Sequence, residues 1–309
     1  MTGNTGPRAV LVTGAGGNLG RKIVAMLARR DWCETIYCLD IAPLAGAPFD
    51  SPKCRPVIAD LGDPGDRRWQ DACEAADAIA HFAVRNPAPS GSWDDTVIAI
   101  DMTANLLQHA KDSCRFVFAS SNHTMGQYKD KDWSGLVLSC RTPPLPGTRY
   151  FINGAYYGPN MYGGSKLTGE RLLRAKAIAS GGRFTGVSLR IGWCLPGDND
   201  PHRINAAGGG TSLSAGDGTP QPPAEAARDL YWFRTMWLSN RDLAAEYEAA
   251  FTADASAWPE PAIVVNAVSN NRGKLWDMDD ARRWLGHVPQ DDVWTALGIE
   301  GPARPHPAQ

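Results

Sequence analysis

The sequence lacks a long apolar run: none reaches the roughly 18 residues that a membrane-crossing helix needs. No membrane partner is therefore expected. It also lacks an excess of either charge. Lys and Arg number 31 against 33 Asp and Glu, a formal net charge of −2. That balance gives no electrostatic case for a nucleic-acid partner, and no basic amphipathic helix speaks for a membrane surface. Paired cysteine motifs are missing. The seven cysteines are an odd number and contain no C-x-x-C, which fits reduced thiols in a cytoplasmic protein better than a disulfide frame or a zinc site. No His/Asp/Glu cluster has metal-ligand spacing, so no metal is expected. Residues 1–7 are polar and lack the apolar core of a signal peptide. No internal repeat is visible. What the chain does have is apolar content, 43% of residues, and 11 tryptophans, seven of them after Arg190. Core packing is the default reading of each tryptophan, Trp232 and Trp237 included.

The most informative stretch runs from Val10 to Gly20. Val10, Leu11 and Val12 suit a buried parallel strand. Thr13 to Gly20 turns the chain, and Arg21 to Arg30 has helical apolar spacing at Ile23, Val24, Met26 and Leu27. Gly14, Gly17 and Gly20 allow a tight turn, close approach of backbone N–H groups to a pyrophosphate, and close helix–strand packing. The helix N-terminus adds partial positive charge. Asn18 and Leu19 belong to the same binding turn. A second strand, Thr35 to Leu39, ends at Asp40, 20 residues past Gly20. A carboxylate there can accept both hydroxyls of an adenosine ribose and would repel a 2′-phosphate. The expected cofactor is therefore NAD rather than NADP.

Further strands are predicted at Arg55–Ala59, Ala78–Val84, Arg115–Ala119, Phe184–Ile191 and Ala262–Val265. Helices are predicted at Asp71–Asp77, Val97–Ala110, Tyr162–Ala179, Asp229–Leu238, Asn240–Phe251 and Asp277–Leu285. The alternation implies an α/β fold, a Rossmann-type doubly wound parallel sheet with a small C-terminal substrate-binding part. Residues 8–190 would form the NAD-binding domain and 191–300 a smaller region interleaved with it, with flexible tails at 1–7 and 301–309. Gly135 to Pro159 and the Gly/Pro-rich Asn205 to Ala227 read as irregular loops, the second a lid or disordered segment. Asp60, Leu61, Phe82 and Ala83 lie at strand ends where α/β sheets bind ligands, and complete the cofactor set. Arg85 follows on the substrate side. His81 packs at a strand end, and Cys194 is a buried thiol without a base partner.

Tyr162 and Lys166 are four apart and share one helix face. A nearby ammonium lowers the pKa of a phenol. The phenolate could then remove a hydroxyl proton while a hydride leaves the same carbon.

The turn at Thr13 to Gly20, Asp40, Asp60-Leu61, Ser120-Ser121 before Gly126, and Tyr162-x-x-x-Lys166 together resemble the extended short-chain dehydrogenases/reductases, the NAD-dependent epimerase/dehydratase family. The resemblance runs from Val10 to about Val293. Phe118-Ala-Ser-Ser-Asn-His-Thr-Met-Gly126, Leu189-Arg-Ile-Gly-Trp-Cys194, Trp237-Leu-Ser-Asn-Arg-Asp242 and Trp284-Leu-Gly-His-Val-Pro289 are similar to the uronate dehydrogenase group. That group oxidises C1 of a cyclic hexuronate to a lactone with NAD. The resemblance implies Ser121, Tyr162 and Lys166 as catalytic residues. It implies Ser121, Asn122 and His123 facing the substrate, and Arg203 as the candidate for the sugar carboxylate; read alone, Arg203 is equally a surface charge. The chain departs from the group at Trp193, where the group has a small serine, at Arg85, where it has an uncharged residue, and in the length of both loops. The implied partner is a small sugar or sugar acid, with a homodimer or higher homo-oligomer common to the fold. The same residues would also serve a nucleotide-sugar epimerase or dehydratase that retains NAD, although Asn122-His123 replaces the acidic pair of a dehydratase. An NAD-binding regulator is the third reading; retention of Tyr162 and Lys166 speaks against it.

Overall fold

A computed structural model of the chain describes residues 6–85, 91–158, 161–208 and 220–305. The described strands are β1 (Ala9–Thr13), β2 (Thr35–Asp40), β3 (Cys54–Ile58), β4 (Ala78–His81), β5 (Arg115–Ser121), β6 (Tyr150–Ile152), β7 (Ala155–Tyr157), β8 (Thr185–Ile191) and β9 (Ala262–Ala267). The helices are α1 (Asn18–Ala28), α2 (Arg67–Ala75), α3 (Trp93–His109), α4 (Tyr162–Ala179), α5 (Pro223–Thr235), α6 (Asn240–Thr252), α7 (Asp279–Leu285) and α8 (Val293–Leu297). Seven strands form one sheet in the order β3-β2-β1-β4-β5-β8-β9, and every pairing in it is parallel. The order reverses between β1 and β4, which opens a crevice at the carboxyl ends of those strands. The expected doubly wound sheet is thus present.

A parallel sheet is covered on both faces, and its strands are correspondingly apolar. Val10, Leu11 and Val12 are wholly buried, with Val10 and Val12 in one core and Leu11 in the other. The first core holds Ile23 and Leu27 of α1 with Leu243 and Tyr247 of α6. The second holds Trp69 of α2, Leu106 of α3 and Leu173 of α4. Trp232 stacks against Trp133 at 5.9 Å and meets Trp276 at 4.8 Å, and Trp237 is buried too, so these tryptophans are core. No described helix is long and apolar enough to cross a membrane.

Several boundaries differ from the sequence reading, each for a local reason. Helix α2 begins four residues early, at Arg67, because the Asp66 carboxylate caps it by accepting from Arg68 N at 3.0 Å. Helix α3 begins at Trp93 behind a capping box of Ser92 and Asp95. Strand β4 stops at His81 rather than Val84. Gly135 to Pro159 is not wholly irregular: β6 and β7 form a hairpin whose turn, Asn153-Gly154, takes positive φ at both residues. Of the loop read at Asn205 to Ala227, residues 209–219 lie outside the described residues, and its end is the start of α5. Helix α8, capped by Asp292, has no counterpart in the sequence reading.

Candidate active site

A cleft of about 920 Å³ lies along the carboxyl ends of β1, β2, β4, β5 and β8. The glycine turn forms one end of its floor. Gly14 has φ +63° and stands so close to β4 that a Cβ would lie 2.9 Å from Ala83 N. A Cβ on Gly20 would lie 2.2 Å from Gly14 O. Side chains here would collide, so the tight turn requires glycine at both. Gly17 caps helix α1 without a side-chain hydrogen bond, which leaves the first N–H groups of the helix for an anion in the cleft. At the end of β2 the Asp40 carboxylate accepts from Gly16 N at 2.8 Å and Ala42 N at 3.3 Å.

The junction of β1 and β4 is held by an internal network. Thr103 Oγ1 donates to Ala99 O at 3.0 Å, so at 3.1 Å it must accept from His81 Nε2. His81 Nδ1 then accepts from Thr13 Oγ1 at 2.7 Å, and that oxygen accepts from Phe82 N and Ala83 N. Burial drives the His81 imidazole well below its usual range, so it stays neutral. It is a structural histidine and does not line the cleft.

The reacting end is built by β5 and α4. Ser121 closes β5, and its hydroxyl accepts from His123 N at 3.1 Å. The following 3-10 turn, Asn122–Asp130, carries Asn122 and His123 into the wall. Helix α4 opens with Tyr162. A Cβ on Gly163 would lie 2.4 Å from His123 O and 2.7 Å from Gly147 N, so the helix backbone rests directly on the backbone of this wall. Lys166 is one turn on, its Nζ 5.6 Å from the centre of the Tyr162 ring and 5.0 Å from that of Phe118.

Burial pushes the Tyr162 phenol up to about 12, partly offset by a hydrogen bond with Ser121, and pulls the Lys166 ammonium down to about 8. The ammonium was expected to lower the tyrosine. Loss of water around the phenol raises it instead, and the one opposing influence is the hydrogen bond with Ser121.

Two residues to which the sequence reading gave no role hold this end in place. Glu170 accepts from Arg190 in a two-pronged pair, Nε and Nη2 each at 2.9 Å, and from Ser120 Oγ at 2.6 Å. All three are buried. The pair ties β5, α4 and β8 together one residue from Ser121. Its sequence signal is spacing: Tyr162, Lys166 and Glu170 follow at i, i+4 and i+8 along one face of α4.

Asn122 is 3% exposed, and neither amide atom has a partner among the described residues. His123 is engaged at both nitrogens, with Thr148 Oγ1 at 2.7 Å and Tyr150 OH at 3.2 Å. Burial takes His123 down to about 4, so it is neutral near pH 7. Trp193 stands edge-on to His123 at 6.0 Å and against Phe233 at 5.0 Å. Burial pushes the Cys194 thiol up to about 12, as an inert thiol requires.

The cleft therefore brings together Gly14, Gly17, Asn18, Leu19, Gly20, Asp40, Asp60, Leu61, Phe82, Ala83, Arg85, Ser121, Asn122, His123, Tyr162, Lys166 and Trp193. Arg203 is not among its lining; it ends a short turn, Pro201–Arg203, and is exposed. Arg85 lines the cleft but pairs with Asp60 at 3.5 Å, on the cofactor side. No group of three His, Cys, Asp or Glu among the described residues could hold a metal ion.

The profile of the NAD dependent epimerase/dehydratase family matches residues 10–196. A relative from Haloferax volcanii, named NAD-dependent glucose-6-phosphate dehydrogenase, is 30% identical over 294 residues, covering 92% of this chain and 93% of the relative. A second from the same organism, L-arabinose 1-dehydrogenase (NAD(P)(+)), is 27% identical over 93% of this chain and 98% of its own length. Among solved structures, a point mutant of uronate dehydrogenase from Agrobacterium tumefaciens complexed with NAD is 25% identical, with a TM-score of 0.65 over 96% of this chain and 92% of that one.

Proposed function

Because the chain belongs to the NAD dependent epimerase/dehydratase family, we propose that it is an NAD-dependent oxidoreductase acting on a sugar or sugar acid, taking the C1 hydroxyl of the cyclic form to the lactone. The observation that carries this reading is the Ser121–Tyr162–Lys166 group at the end of β5, beside a glycine cradle that admits a dinucleotide backbone.

The cofactor set is Gly14, Gly17, Asn18, Leu19, Gly20, Asp40, Asp60, Leu61, Phe82 and Ala83, with Tyr162 and Lys166 at the nicotinamide end. When bound, NAD accepts the hydride that leaves the substrate carbon. Tyr162 removes the hydroxyl proton at its phenol oxygen. Ser121 holds the reacting oxygen by hydrogen bond and stabilises the phenolate. Lys166 supplies the positive charge that favours that phenolate. Glu170 and Arg190 fix the strand and helix that carry these groups, which keeps them in reacting orientation. Asn122 offers an amide to substrate hydroxyls. Ser121 and Lys166 are buried, so the electrostatic terms between these groups act with reduced screening.

The test is NADH formation, followed by absorbance, over a panel of aldoses, hexuronates and sugar phosphates. Turnover of one substrate class to its lactone supports the reading. Binding of NAD with no NADH from any sugar would overturn it.

A further inference from the structure

The relatives act, by their names, on a sugar phosphate, a neutral pentose and a uronate. The question the cleft poses is the charge of the substrate. Its described lining holds three cations: Arg21, Arg85 and Lys166. Arg21 donates through Nε to Gly16 O at 3.0 Å and lies over Phe49 at 4.8 Å, beside the glycine turn. Arg85 is paired with Asp60. Lys166 lies beneath the tyrosine base. Arg203 is exposed and outside the lining. The sequence of residues 86–90, 159–160 and 209–219 contains no Lys or Arg.

Apart from Lys166 beneath Tyr162, what the wall of Asn122, His123 and Trp193 presents is neutral. Both amide atoms of Asn122 and the indole Nε1 of Trp193 are buried without partners among the described residues. His123 is neutral and already bonded at both nitrogens. Trp193 is fixed as a wall. Phe233 supports it at 5.0 Å, and Gly208, with φ +92°, comes so close that a Cβ there would lie 2.7 Å from Trp193 Cζ2. A carboxylate or phosphate brought against this wall loses its water and finds no cation among Asn122, His123 and Trp193, while Arg85 is engaged with Asp60 and Lys166 lies beneath Tyr162. A neutral sugar loses only hydroxyl hydration. The Asn122 amide and the indole N–H restore those hydrogen bonds, and the ring's C–H face covers the indole.

We propose that this site selects an uncharged cyclic aldose over sugar acids and sugar phosphates, and that Trp193 is the residue that sets this choice. The proposal rests on the reading of the cleft as a sugar dehydrogenase site. It narrows that reading and is tested apart from it by binding.

The experiment titrates NADH-loaded protein, by calorimetry, with D-glucose, D-galactose and L-arabinose, and in parallel with D-glucuronate, D-galacturonate and glucose 6-phosphate. Steady-state kcat/KM is measured on the same set with NAD. The best neutral aldose is expected to exceed every anion by about a hundredfold or more, the usual cost of a buried charge left unpaired. Its KM should not change between low and high salt, because no charge is screened. Trp193→Ala is expected to raise KM for that aldose about tenfold with kcat nearly kept. Trp193→Arg should move the preference toward the hexuronates. Tighter binding or faster turnover of any hexuronate or phosphate by the unmodified protein overturns the proposal, as does absence of binding by every neutral aldose. Selective binding of a neutral aldose without NADH formation supports the proposal while overturning the oxidation reading.

Discussion

Tyr162 and Lys166 share one face of α4, with the ammonium nitrogen 5.6 Å from the centre of the phenol ring. Burial moves both pKa values toward the neutral forms, Tyr162 up to about 12 and Lys166 down to about 8. With the phenol acid so weak, its phenolate fraction rises tenfold per pH unit across the neutral range. Above about 8, Lys166 loses the charge that supports it. Sugar oxidation is therefore expected to climb with pH up to about 8 and to flatten beyond, seen as log kcat/KM between pH 6 and 10. A profile that falls with pH in the lower part of that range contradicts the assignment. Tyr162→Phe should cost about 10²–10⁴-fold in kcat, a typical value for a positioned base, while NAD binding by fluorescence stays near normal.

Asp40 accepts from two backbone N–H groups and lines the cleft, where it is the proposed ligand of the ribose. NAD should be preferred over NADP by a large factor. Asp40→Ala should weaken NAD by about 1–3 kcal/mol, the usual worth of charged hydrogen bonds, and narrow the NAD/NADP ratio. Dissociation constants for both dinucleotides check this; an unchanged ratio would remove Asp40 from the cofactor set.

Lys129 lies at the end of the turn that carries Asn122 and His123, with its side chain fully buried. Its Nζ donates to Asp229 of α5 at 2.5 Å. Removing Asp229 leaves the buried ammonium with only the more distant Asp130 carboxylate, at 3.4 Å. Asp229→Asn should lower stability by about 3–5 kcal/mol, and the double change Lys129→Met with Asp229→Leu should recover most of it. Chemical unfolding of the three proteins measures the difference.

Glu246 of α6 is wholly buried, and neither carboxyl oxygen has a hydrogen-bond partner among the described residues. His287 Nε2 lies 3.9 Å away, too far for a hydrogen bond. Burial, with Asp242 nearby, raises the carboxyl well above its usual 4.5, and burial lowers His287, so the fold favours the neutral form of each. A raised folded pKa means that the native state holds the proton more tightly than the unfolded chain. This contribution is full below about 4.5 and is lost as pH rises toward the folded pKa. Glu246→Gln should therefore stabilise the protein at pH 8 and flatten its melting temperature between pH 5 and 8. An equal pH dependence in both proteins would show that Glu246 is charged in the fold.

The strand, glycine turn and helix from Val10 onward were legible because a β-branched run, obligatory glycines and apolar helical spacing act locally. The Tyr162 helix was legible for the same reason. The start of α2 turned on a single cap at Asp66, and the β6–β7 hairpin on an Asn-Gly pair inside a Pro-rich stretch. Both are local signals that periodicity does not reach. The position of Arg203 outside the cleft and the pairing of Arg85 with Asp60 depend on how loops fold over the sheet, which no spacing encodes. The direction of the Tyr162 shift was hidden for a related reason: the neighbouring ammonium can be read from i, i+4 spacing, whereas the water excluded from both groups is a property of the packed site.

At Gly163 the helix that carries the base meets the chain after the serine strand with no side chain between them. Main chain has no rotamers to exchange. The spacing of Ser121 and Tyr162 is therefore set by backbone contact, and Trp193 with Phe233 bears on it only by way of His123. The two are joined at a single ring: Trp193 stands edge-on to His123 and His123 edge-on to Tyr162, so a change in that wall reaches the phenol through one imidazole.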